Sequence, residues 1–273
     1  MAIDGRSYST FKVRGGTTLK IEYRDYAPSV TAMAKEYAMH GYPERYAVFT
    51  EHQSDTSITG TKLREGALEE GIFISLVLRP TLLPAQASAL GYLSVVAMTQ
   101  ALETYTSKKL GISWVSDIYC DGIKIGGTQV EGKLKDANSY DYIIVSFAVK
   151  TNETIFPPRL KDSVKKVFEK EKLSVGMMMA RSILDRFFQL YVNIQDVENQ
   201  KKYYADKFIL KNEKIKYIEN GKKRTVSVVD IDKENLSLII KQPFVGEFNV
   251  FTPSRVIIPG RLKNNKQSKK QED

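Results

Sequence analysis

The chain of 273 residues has very few cysteines and histidines. It carries one cysteine, Cys120, and two histidines, His40 and His52, that lie far from it. One thiol cannot form an internal disulfide framework, and these three side chains offer no credible zinc site. The sequence therefore excludes a disulfide-stapled secreted domain and predicts no structural metal. A reducing compartment, the cytoplasm, is the expected location.

Long apolar segments are also missing. No run is long and apolar enough to span a bilayer. The opening residues, MAIDGRSYSTFKVRGG, lack the apolar region that a signal peptide needs. No helix-turn-helix or zinc-finger pattern precedes the central region. We therefore expect neither a membrane association nor a DNA-binding domain.

The charge balance is basic. Lysine and arginine total 41 against 32 aspartates and glutamates, which gives a net charge of +9. Much of the excess lies in residues 201–223 and in the last residues, RLKNNKQSKKQED. Such a surface can favour nucleic acid or an acidic protein, but lysines that merely face solvent are the more common explanation. Charge alone leaves the function open.

The most informative stretch is residues 112–134, ISWVSDIYCDGIKIGGTQVEGKL. It predicts two short strands joined at Asp121-Gly122, a pair typical of tight hairpin turns. Lys124 comes just before Gly126 and Gly127, where the missing Cβ atoms let a ligand or another backbone approach closely. An ammonium group beside bare backbone suits a carboxylate or a phosphate. The alternative is an ordinary hairpin with a solvated lysine. The expected inward-facing residues after the turn are Ile123, Ile125, Val130 and Leu134.

The remaining pattern predicts a domain of mixed strands and helices, followed by short strands. Alternating or apolar runs predict strands at residues 19–23, 46–50, 71–80 and 140–149. Helical spacing predicts helices at residues 31–39, 90–105, 162–172 and 175–191. Residues 195–204 read as a polar connector. Beyond it, short strands spaced by turns at Asn220-Gly221 and at residues 233–235 suggest a small β-barrel.

Residues 112–134 resemble the signature of the biotin protein ligases, which is Lys-Trp-Pro-Asn-Asp, then Lys-hydrophobic-Ala-Gly, then Glu. The residues that match in register are Trp114, Asp117, Lys124, Gly127 and Glu131. The first Lys, the Pro and the Asn of the signature are replaced by Ser113, Val115 and Ser116. Further similarity lies in residues 71–80, in Ala101-Leu102-Glu103 and in residues 229–238, so the resemblance covers nearly all of residues 19–262.

This resemblance implies an α+β fold. The catalytic domain would be biotin/lipoate ligase-like, a mixed sheet with packed helices, and a small SH3-like β-barrel would follow it. We expect a loose leader at residues 1–18, the catalytic domain at 19–198, the SH3-like domain at 205–262 and a disordered basic tail at 263–273.

The family's chemistry implies an ATP-dependent ligase. Such an enzyme converts biotin to biotinyl-AMP and transfers the biotinyl group to a lysine of a carboxyl carrier domain. ATP, Mg²⁺ and biotin are the implied substrates and ion, and a homodimer is a further possibility. Lys124 is the implied catalytic residue, and Asp117 and Lys150 would contact the nucleotide or magnesium. The implied biotin- and adenylate-binding residues are Ser29, Val30, Thr31, Gln53, Ser57, Ile58, Thr59, Gly126 and Gly127.

The sequence departs from the family in its phosphate-binding loop. Family members carry Gly-Arg-Gly-Arg-x-Gly-Arg, whereas residues 56–62 read TSITGTK. Only Lys62 keeps a positive charge there, with Arg64 nearby as a possible substitute. This loss keeps two other functions open: a ligase-like binding protein without catalysis, and a ligase for another acid such as lipoate. For Ser29, a simple helix N-cap is the alternative role.

Overall fold

The computed structural model describes residues 6–13, 18–60, 67–151, 174–195 and 197–262. Its larger sheet has eight strands in the order β1-β2-β3-β4-β8-β7-β6-β5. Strands β2 and β3 are parallel, and every other neighbouring pair is antiparallel. The strands are β1 (Arg6–Lys12), β2 (Thr18–Arg24), β3 (Tyr46–Gln53), β4 (Glu69–Leu78), β5 (Leu110–Ser113), β6 (Asp117–Cys120), β7 (Ile123–Asp136) and β8 (Ser139–Lys150).

Helices cover both faces of this sheet. They are α1 (Val30–Met39), α2 (Pro84–Ala87), α3 (Ala89–Leu102), α4 (Val175–Tyr191) and α5 (Glu198–Lys207). Alternate side chains of a strand point to opposite faces. Along β4, Ile72 and Ile74 accordingly join the main core with α3 and α4, whereas Phe73 packs in a smaller cluster with Val30 of α1. The central strands β4 and β8 of the large sheet are therefore buried on both sides, as their apolar sequences require.

A second, five-stranded antiparallel sheet follows. It consists of β9 (Lys214–Glu219), β10 (Lys222–Ile231), β11 (Leu238–Gln242), β12 (Gly246–Val250) and β13 (Val256–Ile257), in the order β12-β11-β10-β9-β13. The turn between β9 and β10 is the predicted Asn220-Gly221 pair, with φ angles of 50° and 74°. One continuous core joins the two sheets, and the Trp114 indole Nε1 donates to the Leu236 carbonyl at 2.8 Å.

Most of the predicted elements form. The structure confirms the α+β class and the strands predicted at 46–50, 71–80 and 140–149, and α4 occupies the predicted residues 175–191. No helix among the described residues is long and apolar enough to cross a bilayer. The predicted helix at 162–172 and the basic tail at 263–273 lie outside the described residues, as do Lys62 and Arg64.

Two predictions about irregular segments are wrong. Residues 6–12, expected to be a loose leader, form the edge strand β1, which pairs with β2 over seven residues. The polar connector expected at 195–204 instead contains most of α5. Tyr204 on α5 is fully buried, and its hydroxyl donates to the Val115 carbonyl at 2.8 Å. One buried tyrosine anchors α5, whose other residues are mostly polar. Because the segment has a low hydropathy, no helix was predicted there.

The hairpin at 112–134 is also more elaborate than predicted. It has three strands, β5, β6 and β7, rather than two, and β7 alone spans 14 residues. The Asp121-Gly122 turn is confirmed, with φ angles of 50° and 74°. Of the residues expected to face inward, Ile125 is buried, but Ile123 and Leu134 are about half exposed, at 46% and 52%. The β6–β7 register shifts after Ile118, which changes the face on which the following side chains lie.

Candidate functional site

The predicted catalytic lysine forms an ion pair at the centre of the hairpin. Lys124 is on β7 and Asp117 opens the neighbouring strand β6, and the pairing of these strands is irregular between Ile118 and Tyr119. Nζ of Lys124 lies 2.8 Å from Oδ1 of Asp117, and both side chains are largely shielded from solvent. Burial raises the pKa of the Asp117 carboxyl above its ordinary value, and the nearby Lys124 ammonium only partly offsets this rise. Lys124 and Asp117 therefore form a partly desolvated ion pair.

The two glycines beside this pair serve the protein's own backbone. A Cβ on Gly126 would lie 2.1 Å from the carbonyl oxygen of Ala148 on β8. A Cβ on Gly127 would lie 2.6 Å from the carbonyl oxygen of Ser116 and 3.0 Å from Oδ1 of Asp117. The sequence left open whether a ligand or another backbone approaches the two glycines. The close approach of the protein's own backbone is sufficient to explain both. Gly127 also lets Asp117 sit against the strand.

A second group of predicted residues surrounds Asp55, just after β3. The Ser29 hydroxyl donates to Oδ2 of Asp55 at 2.9 Å, and the backbone N–H of Ser57 donates to Oδ1 at 3.0 Å. Burial raises the pKa of Asp55, but these hydrogen bonds outweigh it and hold the pKa below its ordinary value. Gln53 accepts from the Val30 N–H at 2.8 Å and donates to the Asp55 carbonyl at 2.7 Å. These side chains hold one another in place.

The end of the 54–60 loop lies beside both predicted lysines. The Thr59 hydroxyl donates to Oε2 of Glu69 at 2.5 Å, and Nζ of Lys150 lies 3.7 Å from Oε1 of the same carboxylate. A Cβ on the next residue, Gly60, would lie 3.6 Å from Nζ of Lys124. Two ammonium groups therefore flank one point of the loop, and each is paired with a carboxylate of the protein.

Three predicted binding residues face the interior instead. Val30 and Ile58 pack in the small cluster beneath α1. The hydroxyl of Thr31 is 3.2 Å from that of Ser75 and 2.9 Å from that of Ser146, and the two serine hydroxyls are 2.7 Å apart. This buried triad satisfies its own hydrogen bonds. Ser29, in contrast, fulfils its alternative role as the N-cap of α1, accepting from the Ala32 N–H at 3.4 Å.

Residues 39–147, which include most of the large sheet and Lys124, match the model of the biotin/lipoate A/B protein ligase family. Over 141 residues the chain is 28% identical to the bifunctional ligase/repressor BirA of Bacillus spizizenii and 27% identical to that of Bacillus subtilis. Over these residues the chain resembles this ligase family. The match covers 51% of the chain and 43% of each BirA protein, so it spans less than half the length of these relatives.

Solved structures show the same fold at low identity. A biotin protein ligase mutant from Aquifex aeolicus in complex with biotin superimposes with a TM-score of 0.62 at 18% identity, covering 87% of this chain and 97% of that one. A biotin protein ligase-like protein of unknown function from a Silicibacter species gives 0.56 at 14% identity, over 85% and 94% of the two chains. The likeness extends beyond the residues that the family model matches.

The described residues contain no group of three or more His, Cys, Asp or Glu side chains able to hold a metal ion. Mg²⁺ that accompanies a nucleotide is usually held by one or two carboxylates together with phosphate oxygens. Asp117 could be one such ligand, because it lies beside Lys124. It would then have to share its carboxylate between the ammonium group and the metal.

Several residues of the site were not predicted from the sequence. Asp55 carried a usable signal, because an Asp whose carboxylate bonds the backbone two residues on is a common turn motif. Glu69 opens β4, and Ser75 and Ser146 lie inside apolar strands, so only their spatial neighbours reveal a role. Gly60 has a φ of 69°, a conformation that favours glycine, but one glycine among residues 56–62 does not by itself indicate a site.

Proposed function

We propose that this chain is an ATP-dependent biotin–protein ligase with Lys124 as its catalytic residue. The observation that carries the proposal is the partly shielded Lys124 ammonium beside Asp117 and Gly127, next to the end of the 54–60 loop. The match of residues 39–147 to the family model supports a ligase, and an Aquifex aeolicus neighbour is a biotin protein ligase in complex with biotin and ATP. A shielded cation can hold two anions together more strongly than a solvated one.

The proposed reaction has two balanced steps. A carboxylate oxygen of biotin attacks the α-phosphorus of ATP while the bond to the bridging oxygen breaks, which gives biotinyl-AMP and pyrophosphate. A carrier-domain lysine amine then attacks the acyl carbon, forms the amide, loses a proton and releases AMP. Both reactants of the first step are anionic, so Lys124 would hold the biotin carboxylate and an α-phosphate oxygen against their repulsion.

The other residues would have supporting roles. Asp117 would orient Lys124 and could help to place Mg²⁺, which supplies further positive charge to the phosphates when bound. Lys150 would contact the nucleotide, and Ser57, Thr59 and Gly60 would cover it. Gln53 and Ser29 would shape the acid pocket through their bonds to Asp55 and to the backbone of α1. For Val30, Thr31 and Ile58 we propose indirect roles, because all three are engaged in packing or in the hydroxyl triad.

Further parts of the proposal concern the whole protein. The five-stranded sheet would be an SH3-like domain, the acceptor a biotin carboxyl carrier domain, and the location the cytoplasm. Neither membrane association nor a DNA-binding domain is part of the proposal, and a homodimer stays a prediction.

Exchange of labelled pyrophosphate into ATP tests the proposed activity. The assay is run with biotin, lipoate and octanoate supplied separately. Exchange that depends on biotin supports the proposal. Exchange that depends on another acid would support the proposed adenylation reaction but show that biotin is not the substrate. Absence of exchange with every acid, from protein shown to be folded by circular dichroism, would overturn the proposed activity.

A specific observation favours a second candidate, a ligase-like protein that binds but does not catalyse. Both lysines at the site are already paired with carboxylates of the protein, Lys124 with Asp117 and Lys150 with Glu69. A substrate anion must compete with these partners, and the family's loop arginines are not there to assist. This candidate predicts that calorimetry detects binding of biotin or ATP by protein that gives no exchange.

A further inference from the structure

The backbone of Lys124 is held by a segment from the other end of the chain. Residues 259–262, here called the strap, run antiparallel to the start of β7, and Arg261 pairs with Ile123. The Lys124 N–H donates to the Gly260 carbonyl at 2.8 Å, and the Leu262 N–H donates to the Gly122 carbonyl at 2.8 Å. The strap thus brackets the residue that carries the ammonium group.

The strap replaces β8 along this part of β7. Strand β8 pairs with β7 from Gly126 onward, where Gly126 faces Val149. The three residues before Gly126 lie beyond that ladder, so the strap supplies the hydrogen-bond partner that the Lys124 N–H would otherwise lack. Without the strap, this end of β7 would be a free edge beside the Asp121-Gly122 turn.

The strap also contacts the residue opposite Lys124. In the β6–β7 register Tyr119 faces Lys124, and the Tyr119 hydroxyl donates to the Pro259 carbonyl at 2.6 Å. The side chains of Tyr119 and Leu262 are buried. Both members of the Tyr119–Lys124 pair are therefore tied to adjacent residues of one segment. This arrangement fixes the backbone from which the Lys124 side chain extends to Asp117.

The strap follows directly on the five-stranded sheet. Strand β13 ends at Ile257, and the connection between β10 and β11 accepts the Trp114 indole hydrogen bond through Leu236. We propose that the strap is a positioning segment, through which the second sheet sets the placement of Lys124. Its effect on catalysis rests on the proposed ligase function, whereas its effect on the lysine backbone does not.

Two truncations test the inference directly. One variant ends at Ile258 and lacks the strap, and its matched control ends at Lys263 and keeps it. Amide hydrogen exchange of Lys124, read by NMR, should be about tenfold faster or more in the strapless variant, because its acceptor is gone. The control should match the full chain. Unchanged protection of Lys124 in a folded strapless variant would overturn the proposal.

A pair of substitutions covers the case in which the strapless variant does not fold. Leu262→Pro removes the N–H that bonds Gly122, and Leu262→Ala keeps that N–H while losing similar apolar contact. The proline variant should show the faster Lys124 exchange, and equal exchange in both variants would contradict the inference. In the pyrophosphate assay, kcat should fall about tenfold to a hundredfold in Leu262→Pro, with a much smaller change in KM. If the full chain gives no exchange, the proposed function fails, yet the amide result still decides the role of the strap.

Discussion

The two halves of the candidate site are built differently. On the strand side, Lys124 and Asp117 are held by β6, β7 and the strap, all through backbone hydrogen bonds. On the loop side, Ser29, Gln53 and Ser57 are organised around the carboxylate of Asp55. The strand side presents a cation at a fixed position, and the loop side carries a half-buried anion, Asp55. The difference suggests that anion binding depends on the strands, while the loop mainly shapes the space beside them.

Removal of the Lys124 ammonium group should cause the largest loss of activity of any change on either side of the site. Lys124→Ala should lower the rate of acid-dependent pyrophosphate exchange about a hundredfold to a thousandfold, since it deletes the cation at the reacting groups. Lys108→Ala is the matched control, because Lys108 pairs with Asp121 at 2.6 Å on the turn of the same hairpin but is more exposed. A Lys124→Ala variant that keeps normal exchange would remove the strand side from the mechanism.

Glycine substitutions should separate the two sides by stability. Gly126→Ala places a methyl group 2.1 Å from the Ala148 carbonyl oxygen, so we expect about 3 kcal/mol of destabilisation in urea unfolding. Gly60→Ala meets only ordinary contacts at 3.6 Å, and its positive φ should cost about 1 kcal/mol. A larger decrease in the free energy of unfolding for Gly60→Ala than for Gly126→Ala would contradict the inference that the strand side is the more rigid of the two.

The two carboxylates should titrate in opposite directions from their ordinary pKa of 3.8. For Asp117 the pKa is raised, so the folded state keeps the proton longer, and the group's stabilising contribution at low pH is lost as the pH rises through the raised value. For Asp55 the pKa is lowered, so its contribution is present above the ordinary value and is lost as the pH falls through the lowered one.

Carbon-detected NMR of the two carboxyl groups measures these shifts directly. Asp55→Asn should be less stable than the parent at pH 7, with the difference shrinking in acid. A lowered pKa for Asp117 or a raised one for Asp55 would show that the charges of the two sides are assigned incorrectly.

The smallest effect is expected at the start of α1. Ser29→Ala removes both the N-cap and the hydrogen bond to Asp55, which should cost about 1 kcal/mol in thermal unfolding. Ser54→Ala is the control, because Ser54 makes only a long bond of 3.4 Å to the Pro28 carbonyl. Equal stability of both variants would mean that Ser29 does not organise the loop side.

The sequence predicted the strand side better than the loop side. The Asp121-Gly122 turn and the place of Lys124 follow from local turn chemistry and the family signature. The polar composition of residues 54–60 is compatible with an Asp turn, but it did not show that the distant Ser29 also donates to Asp55. Nor could it show that Thr31 bonds to Ser75 and Ser146, because those contacts join three separate elements.

The strap lay outside sequence prediction for a related reason. Its hydrogen bonds to Gly122 and Lys124 are between backbone groups, which leave no side-chain pattern. Helix α5 was also not predicted, because Tyr204 is its one buried residue and a single residue gives no helical apolar stripe. The structures of the strap and of α5 depend on long-range backbone pairing and on a single buried side chain, and neither feature is visible in the local composition.

Calorimetric binding of a non-hydrolysable biotinyl-adenylate analogue tests the central claim most directly. The claim is that Lys124, fixed on the strand side, supplies the cation that holds the anionic groups. The parent and Lys108→Ala should bind the analogue with equal affinity, and Lys124→Ala should bind about a hundredfold more weakly. Equal affinity of the parent and Lys124→Ala would contradict the account and place the anion-binding groups elsewhere in the chain.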